Sequence, residues 1–123
     1  MDMYQENILD HYKHPRNKGK IDVATFTHRE PNPLCGDVVE LYIKMNGEGK
    51  VEDVKWEGSG CAISQASASI LFESLFGKSE DVLRKISTQD VLDLLQTDIN
   101  PARLKCATLG LVALQKSLNP SGD

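Results

Sequence analysis

Two stretches in the first half of the chain alternate apolar and polar residues, a pattern typical of half-buried β-strands. Residues 38–45 are rich in β-branched and aromatic side chains, and residues 51–57 repeat the alternation. Residues 46–49, Asn-Gly-Glu-Gly, are a typical hairpin connection between them. A further strand is expected near residues 21–28. Together these segments predict a three-stranded antiparallel sheet, one face of which must be covered.

The remaining segments have helical spacing and capping signals. Tyr4, Ile8 and Tyr12 form an i, i+4, i+8 stripe, which predicts a helix over residues 3–12. Two further helices are predicted over residues 61–76, ending at Gly77, and over residues 79–86, capped by Ser79. A helix over residues 87–95 begins with a capping box and has Leu94 on its apolar side. The last helix is predicted to begin at Asn100-Pro101, with Leu104 facing the core. The fold class is therefore predicted to be α+β, with several helices on one face of the sheet, in a single domain of residues 1–123.

Composition limits the classes of partner. The chain has 123 residues, 40% hydrophobic and 26% charged, with a formal net charge of −4. Its early basic residues are interleaved with Asn, Pro and Gly, as in a solvated turn, so no nucleic acid is expected as a partner. No apolar run is long enough to span a membrane and no signal-peptide pattern is seen. Three cysteines without such a signal favour a reducing, cytoplasmic location.

The three cysteines all lie at turns or helix starts. Cys35 and Asp37 share one loop, Cys61 follows Gly-Ser-Gly, and Cys106 lies one turn into the last helix. Backbone N–H groups at such places favour thiolate, the form that binds metal and attacks sulfur. Three thiolates and one carboxylate can hold a soft metal or an iron–sulfur cluster. No C-x-x-C motif is present, and buried cysteines are often only small apolar residues, so both interpretations stay open.

Four segments, in order along almost the whole chain, resemble one known family. They are YQENILDHYKHPRNKG at residues 4–19, NPLCGD at 32–37, GSGCAISQASAS at 58–69 and RLKCAT at 103–108. This pattern is similar to that of the U-type iron–sulfur cluster scaffolds, the family of IscU, SufU and the N-terminal part of NifU.

The resemblance implies a scaffold that assembles a labile [2Fe–2S] cluster. The cluster would be built from iron and from sulfur that a cysteine desulfurase supplies. Recipient apo iron–sulfur proteins would then accept it. The implied ligands are Cys35, Asp37, Cys61 and Cys106. Iron in a sulfide cluster is matched better by thiolate than by a harder carboxylate, so Asp37 is expected to be the weak ligand. Whether the chain forms a homo-oligomer stays open.

The same resemblance leaves a second function open. Residues 61–69 and 105–108 are similar to SufU, which implies a zinc-dependent sulfurtransferase holding Zn²⁺ with the same four ligands. The short interval between Cys61 and Cys106 is instead IscU-like. IscU has a histidine where this chain has Lys105, and a protonated lysine donates hydrogen bonds but does not coordinate.

The resemblance also bears on how sulfur enters. Lys105 is a candidate to stabilise the Cys106 thiolate or an incoming persulfide. Cys106 is the candidate persulfide acceptor in the scaffold function, and Cys35 in the zinc-dependent one. Residues 99–105 lack the L-P-P-V-K motif of IscU, so chaperone-assisted release through that motif is not expected.

Other functional classes fit less well. A cysteine hydrolase needs a histidine beside its nucleophile, but His11, His14 and His28 are all N-terminal and are expected to lie on the surface or in helix packing. The protein is therefore expected to be a scaffold and not an enzyme. A structural zinc module is the remaining alternative, with a colourless, tightly held metal and no acceptance of sulfur.

Overall fold

The antiparallel sheet forms as the alternating pattern predicts. The computed structural model describes residues 3–32, 36–96 and 99–119. Strands β1 (Phe26–Asn32), β2 (Asp37–Met45) and β3 (Val51–Ser59) are hydrogen-bonded in the order β1-β2-β3. Asn46 organises the β2–β3 hairpin, because its side chain accepts hydrogen bonds from the backbone N–H groups of Glu48 and Lys50.

The first strand lies later in the chain than expected. Residues 21–25 are turn and irregular structure, and β1 continues past His28 through Pro31 to Asn32. Proline is tolerated there because β1 is an edge strand, on which one row of backbone groups needs no partner. The shift matters for the site, because β1 ends opposite Asp37, the first residue of β2.

Local capping signals correctly predict where most helices begin. Ser79 caps through the N–H of Val82, and Ser87 forms a capping box with Asp90. One helix ends earlier than expected, at Glu73 instead of residue 76, where the backbone bonds tighten to the i→i−3 pattern: Ser74 N–H donates to Leu71 O and Leu75 N–H to Phe72 O. The α-helices of the described residues are α1 (Met3–Lys13), α2 (Ala62–Glu73), α3 (Glu80–Arg84), α4 (Thr88–Leu95), α5 (Leu104–Ala107) and α6 (Leu109–Leu118).

The last predicted helix is broken. Asn100 caps it as expected, but a 3-10 turn (Pro101–Arg103) comes first, and Thr108 then separates α5 from α6. The Thr108 hydroxyl donates to Leu104 O, a bond that tends to bend helices. The prediction that Leu104 faces the core is wrong, since its side chain is exposed in the bent segment, as is that of Leu94 in α4.

The core lies between the sheet and helices on one of its faces, as predicted. Helix α6 contacts β1 and β2, and α2 contacts β3 as well as α1 and α6. Trp56 of β3 packs edge-on against Phe72 of α2, with ring centroids 5.9 Å apart. The small residues of α2 allow close helix packing, since a side chain on Gly110 of α6 would meet Ala68 and Phe72 at 3.3–3.5 Å.

A turn after α1 closes the free edge of β3. The backbone N–H of Trp56 donates to Asn17 O, and Gly19 N–H donates to Trp56 O, so the turn extends the hydrogen bonding of the sheet. The Trp56 indole N–H donates to Arg16 O at 2.7 Å, and the Lys18 ammonium lies 4.4 Å from the ring centroid. Asn17 adopts a left-handed conformation with φ of 62° to make this turn.

Candidate metal and cluster site

Asp37 begins β2 in a buried position. Its side chain is 2% exposed, and its backbone is paired with Asn32 at the end of β1. Gly36 precedes it with φ of +71°, a conformation that favours glycine, and the Gly36 N–H donates to Asn32 O. The pairing with Asn32 places Asp37 at one end of the sheet.

Cys61 is the N-cap of α2. Its Sγ accepts a hydrogen bond from Ser64 N–H at 3.4 Å, so the sulfur lies at the positive end of the helix dipole. The backbone N–H of Cys61 donates to Asp37 Oδ1 at 3.0 Å, and the Sγ lies 3.8 Å from Asp37 Oδ2. The thiol and the carboxylate are therefore held together by backbone contacts as well as by their own proximity.

Cys106 brings the third donor from α5. It is 3% exposed, and its sulfur lies within 4.8 Å of the ligand atoms of both Asp37 and Cys61. In tetrahedral coordination, with bonds of about 2.0 Å to oxygen and 2.3 Å to sulfur, an oxygen–sulfur pair is separated by about 3.5 Å and a sulfur–sulfur pair by about 3.8 Å. The three donors therefore fit a soft metal ion after movements of about 1 Å or less, and their chemistry suits zinc or iron.

The other predicted site residues differ in what the structure shows. Cys35 lies outside the described residues. Lys105 is exposed on α5, adjacent in sequence to the buried Cys106. It lines a cleft of about 340 Å³ between the end of β1 and helices α5 and α6, together with Asn32 and Thr108.

The histidines belong to packing and surface contacts. His11 is buried and its Nδ1 lies 2.8 Å from Ser69 Oγ of α2. His28 pairs with Glu30, and His14 is exposed. Within residues 3–32, 36–96 and 99–119, the one cluster of three potential metal-binding side chains is Asp37, Cys61 and Cys106.

Two neighbours of the site were not predicted from the sequence. Ser64 binds the Cys61 sulfur and also donates its hydroxyl to Cys61 O, while Gly60 lies against the Asp37 carboxylate. The signal for Ser64 was available, since a residue three positions after an N-cap is where the cap bond is made. The contact with Gly60 depends on the approach of β2 to the β3–α2 loop and has no local signal.

Comparison with known proteins decides the family. Residues 3–120 match the family described as "NifU-like N terminal domain". The chain belongs to this family. The resemblance inferred from its four segments is thereby confirmed.

Curated relatives of both expected kinds are similar to nearly the whole chain. "Zinc-dependent sulfurtransferase SufU" of Bacillus subtilis is 38% identical, covering 94% of this chain and 89% of the relative. "Iron-sulfur cluster assembly scaffold protein IscU" of Thermotoga maritima is 37% identical, covering 94% and 92%. The Escherichia coli protein of the same name is 33% identical, covering 94% and 91%.

Solved structures support the fold. A putative iron–sulfur cluster assembly scaffold protein for the SUF system, from Fervidobacterium islandicum, superimposes with a TM-score of 0.77 at 31% identity. It covers 92% of this chain and 94% of its own. The N-terminal part of a NifU-like protein from Brucella abortus has a TM-score of 0.75 at 22% identity and covers 94% and 92%, a likeness of fold. No helix in the described part of this chain is long and apolar enough to cross a membrane.

Proposed function

We propose that this protein is a scaffold on which a labile [2Fe–2S] cluster is assembled and from which it passes to apoproteins. The observation that carries the proposal is the convergence of one carboxylate and two thiols, from Asp37, Cys61 and Cys106, within 4.8 Å. Cys35, two residues before Asp37, is the proposed fourth ligand. Relatives named as assembly scaffold proteins, at 33% and 37% identity, support the same function.

The residues of the site have distinct proposed roles. Cys61 would hold its corner firmly, because its sulfur accepts the Ser64 N–H and caps α2. Cys106 would bind from a buried position at the base of the site. Asp37 would be the exchangeable ligand, since a carboxylate matches iron in a sulfide cluster less well than a thiolate does. One weakly bound ligand suits a protein that must release its cluster.

Anaerobic purification tests the scaffold directly. The protein is expected to take up iron and acid-labile sulfide in equal amounts and to become brown when incubated with a cysteine desulfurase, cysteine, ferrous iron and a thiol reductant, which reduces the delivered sulfur to sulfide. Cys61→Ser should stay colourless under the same conditions. A wild-type protein that acquires no sulfide-bearing chromophore would contradict the scaffold function.

A zinc-dependent sulfurtransferase is the second candidate. It is favoured by the similarity to the Bacillus subtilis sulfurtransferase and by Lys105, which stands where IscU has a histidine. A lysine cannot coordinate while protonated but can attract an anionic persulfide. In this function Zn²⁺, when bound by the same residues, would hold the thiolates until sulfur transfer, and Cys35 would accept the sulfur.

Mass spectrometry of variants that each lack one of the three cysteines separates the two candidate functions. Each variant is incubated with desulfurase and cysteine, with and without zinc. Sulfur added to Cys106 independently of zinc supports the scaffold. Sulfur confined to Cys35 and dependent on zinc supports the sulfurtransferase. No desulfurase-dependent sulfur on any cysteine would contradict both and would favour a structural zinc site.

The partners follow from this chemistry. We propose a cysteine desulfurase as the sulfur donor, apo iron–sulfur proteins as recipients and the cytoplasm as the location, with no nucleic acid or membrane partner. The Lys105 cleft, beside the segment that carries Cys106, is where the donor protein is expected to approach. A Lys105→Ala variant should accept sulfur more slowly while binding metal normally. Equal rates of sulfur acceptance would remove Lys105 from this role.

A further inference from the structure

Gly60 makes the closest approach to Asp37. A Cβ on Gly60 would lie 2.1 Å from Asp37 Oδ1, 2.6 Å from its Cγ and 2.9 Å from its Cβ. Real Cβ atoms do not approach so closely, and a buried carboxylate at the start of a strand has little room to move. Gly60 also has φ of +141°, which side-chain-bearing residues rarely adopt. Both features make glycine necessary at this position.

The contact has a consequence for the carboxylate. With no side chain at Gly60, the Asp37 carboxylate lies against the backbone just before Cys61 and accepts the Cys61 N–H through Oδ1. Its other oxygen, Oδ2, lies 3.8 Å from Cys61 Sγ. The carboxylate is thereby oriented with one oxygen on the backbone and the other on the thiol side.

We infer that Gly60 is a positioning residue, whose bare Cα seats Asp37 so that the carboxylate binds metal through Oδ2 while Oδ1 stays on the Cys61 N–H. This inference rests on the proposed function of Asp37 as a ligand. It means that Asp37 can release a metal or cluster without leaving its seat, because the bond from Oδ1 to the backbone persists.

Cobalt binding tests the role of Gly60, with Co²⁺ as the probe in place of the native metal. Gly60→Ala is expected to bind Co²⁺ at least about tenfold more weakly, the range for lost supporting contacts, and to shift the d–d bands as Asp37→Ala does. Gly19→Ala is the matched control, since Gly19 has φ of +142° but a Cβ there would meet only the Lys55 side chain, at 3.5 Å. It should bind Co²⁺ like the wild type.

A metal-free measurement tests the contact itself. Gly60→Ala should lower the melting temperature by roughly 5 °C or more beyond Gly19→Ala, and this excess should shrink in an Asp37→Ala background, where the two nearest colliding atoms are gone. Failure of Gly60→Ala to fold in the wild-type background, with folding restored by Asp37→Ala, would give the same support.

Two results would overturn the inference. One is a Gly60→Ala protein with wild-type Co²⁺ affinity and spectrum. The other is an equal penalty with and without the Asp37 carboxylate. A wild-type protein that binds no Co²⁺ through Cys61 and Cys106 would contradict the proposed function instead, and the melting temperatures would still decide whether Gly60 seats Asp37.

Discussion

At the scale of the residue, Cys61 combines a structural duty with its proposed chemical one. Its sulfur caps α2 by accepting the Ser64 N–H, and its own N–H holds Asp37. A thiol in this position is less common than the hydroxyl or carboxylate of a typical N-cap. The proposed metal chemistry therefore accounts for cysteine at this position better than helix stability does, and the two duties can be separated by substitution.

Serine and alanine at position 61 should separate them. Cys61→Ser keeps an N-cap acceptor, so we expect the metal-free variant to unfold in urea at or above the midpoint of the metal-free wild type, together with loss of stoichiometric zinc or cobalt binding. Cys61→Ala should lose the metal and also about 1 kcal/mol of stability, because the Ser64 N–H is left without its cap. Full metal stoichiometry in Cys61→Ser would show that the ligands lie elsewhere.

Asp37 is expected to control how long the cluster stays. Asp37→Ala should lengthen the lifetime of the bound cluster or slow its transfer to an acceptor apoprotein, as followed by circular dichroism after mixing. Asp93→Ala, which removes an exposed carboxylate on α4, serves as the control and should leave both rates unchanged. If Asp37→Ala also transfers at the wild-type rate, Asp37 has no part in release.

What the sequence predicted at this scale depends on how local the signal is. Cys61, Cys106 and Asp37 could be selected because their residue types and flanking motifs carry the chemistry. The contact between the Asp37 carboxylate and Gly60 could not be predicted, because it forms where β2 meets a loop more than twenty positions further along the chain. The distances between the ligand atoms likewise could not be predicted from the sequence.

At the scale of the element, the same distinction separates right and wrong predictions. Helix starts at Ser79, Ser87 and Asn100 were predicted correctly because a cap is made within three residues. The position of β1 was wrong because pairing with β2 fixes it, and that pairing is a tertiary contact. The break at Thr108 was missed because a hydroxyl bond to the preceding turn leaves no mark on the apolar pattern.

The turn that closes the β3 edge gives a test at this scale. Asn17→Ala should destabilise the fold by about 1–2 kcal/mol, since alanine is strained at φ of 62°, whereas Asn17→Gly should cost much less. Urea unfolding of both variants measures the difference, and their metal binding should match that of the wild type. Equal destabilisation by alanine and glycine would mean that the Asn17 side chain, and not its backbone conformation, supports the turn.

At the scale of the whole molecule, His11 joins the N-terminal helix to the core. The ring is 5% exposed and lies against Ser69 of α2, whose hydroxyl also accepts the Arg16 N–H from the edge-closing turn. Burial lowers the pKa of His11 below its usual 6.5, with Arg16 adding to the effect and Glu73 and Asp10 opposing it. The folded protein therefore favours the neutral ring.

The stability of the whole fold should consequently decrease below about pH 6.5. The unfolded chain takes up a proton at His11 more readily than the folded one, so the contribution is complete above the unfolded pKa of 6.5 and is lost as the pH falls toward the lower folded pKa. The pKa of Asp10 is also lowered, mainly by its hydrogen bond with Arg16. Burial raises the pKa of Glu30, but hydrogen bonds from His28 and Lys116 outweigh burial, and the pKa is lowered overall. Their usual values of 3.8 and 4.5 place their effect at more acidic pH.

Urea unfolding of the metal-free protein between pH 5.5 and 7.5 should therefore show a slope of stability against pH. His11→Gln should reduce this slope, and the exposed His14→Gln should leave it intact. An unchanged slope in His11→Gln would assign the pH dependence to other groups.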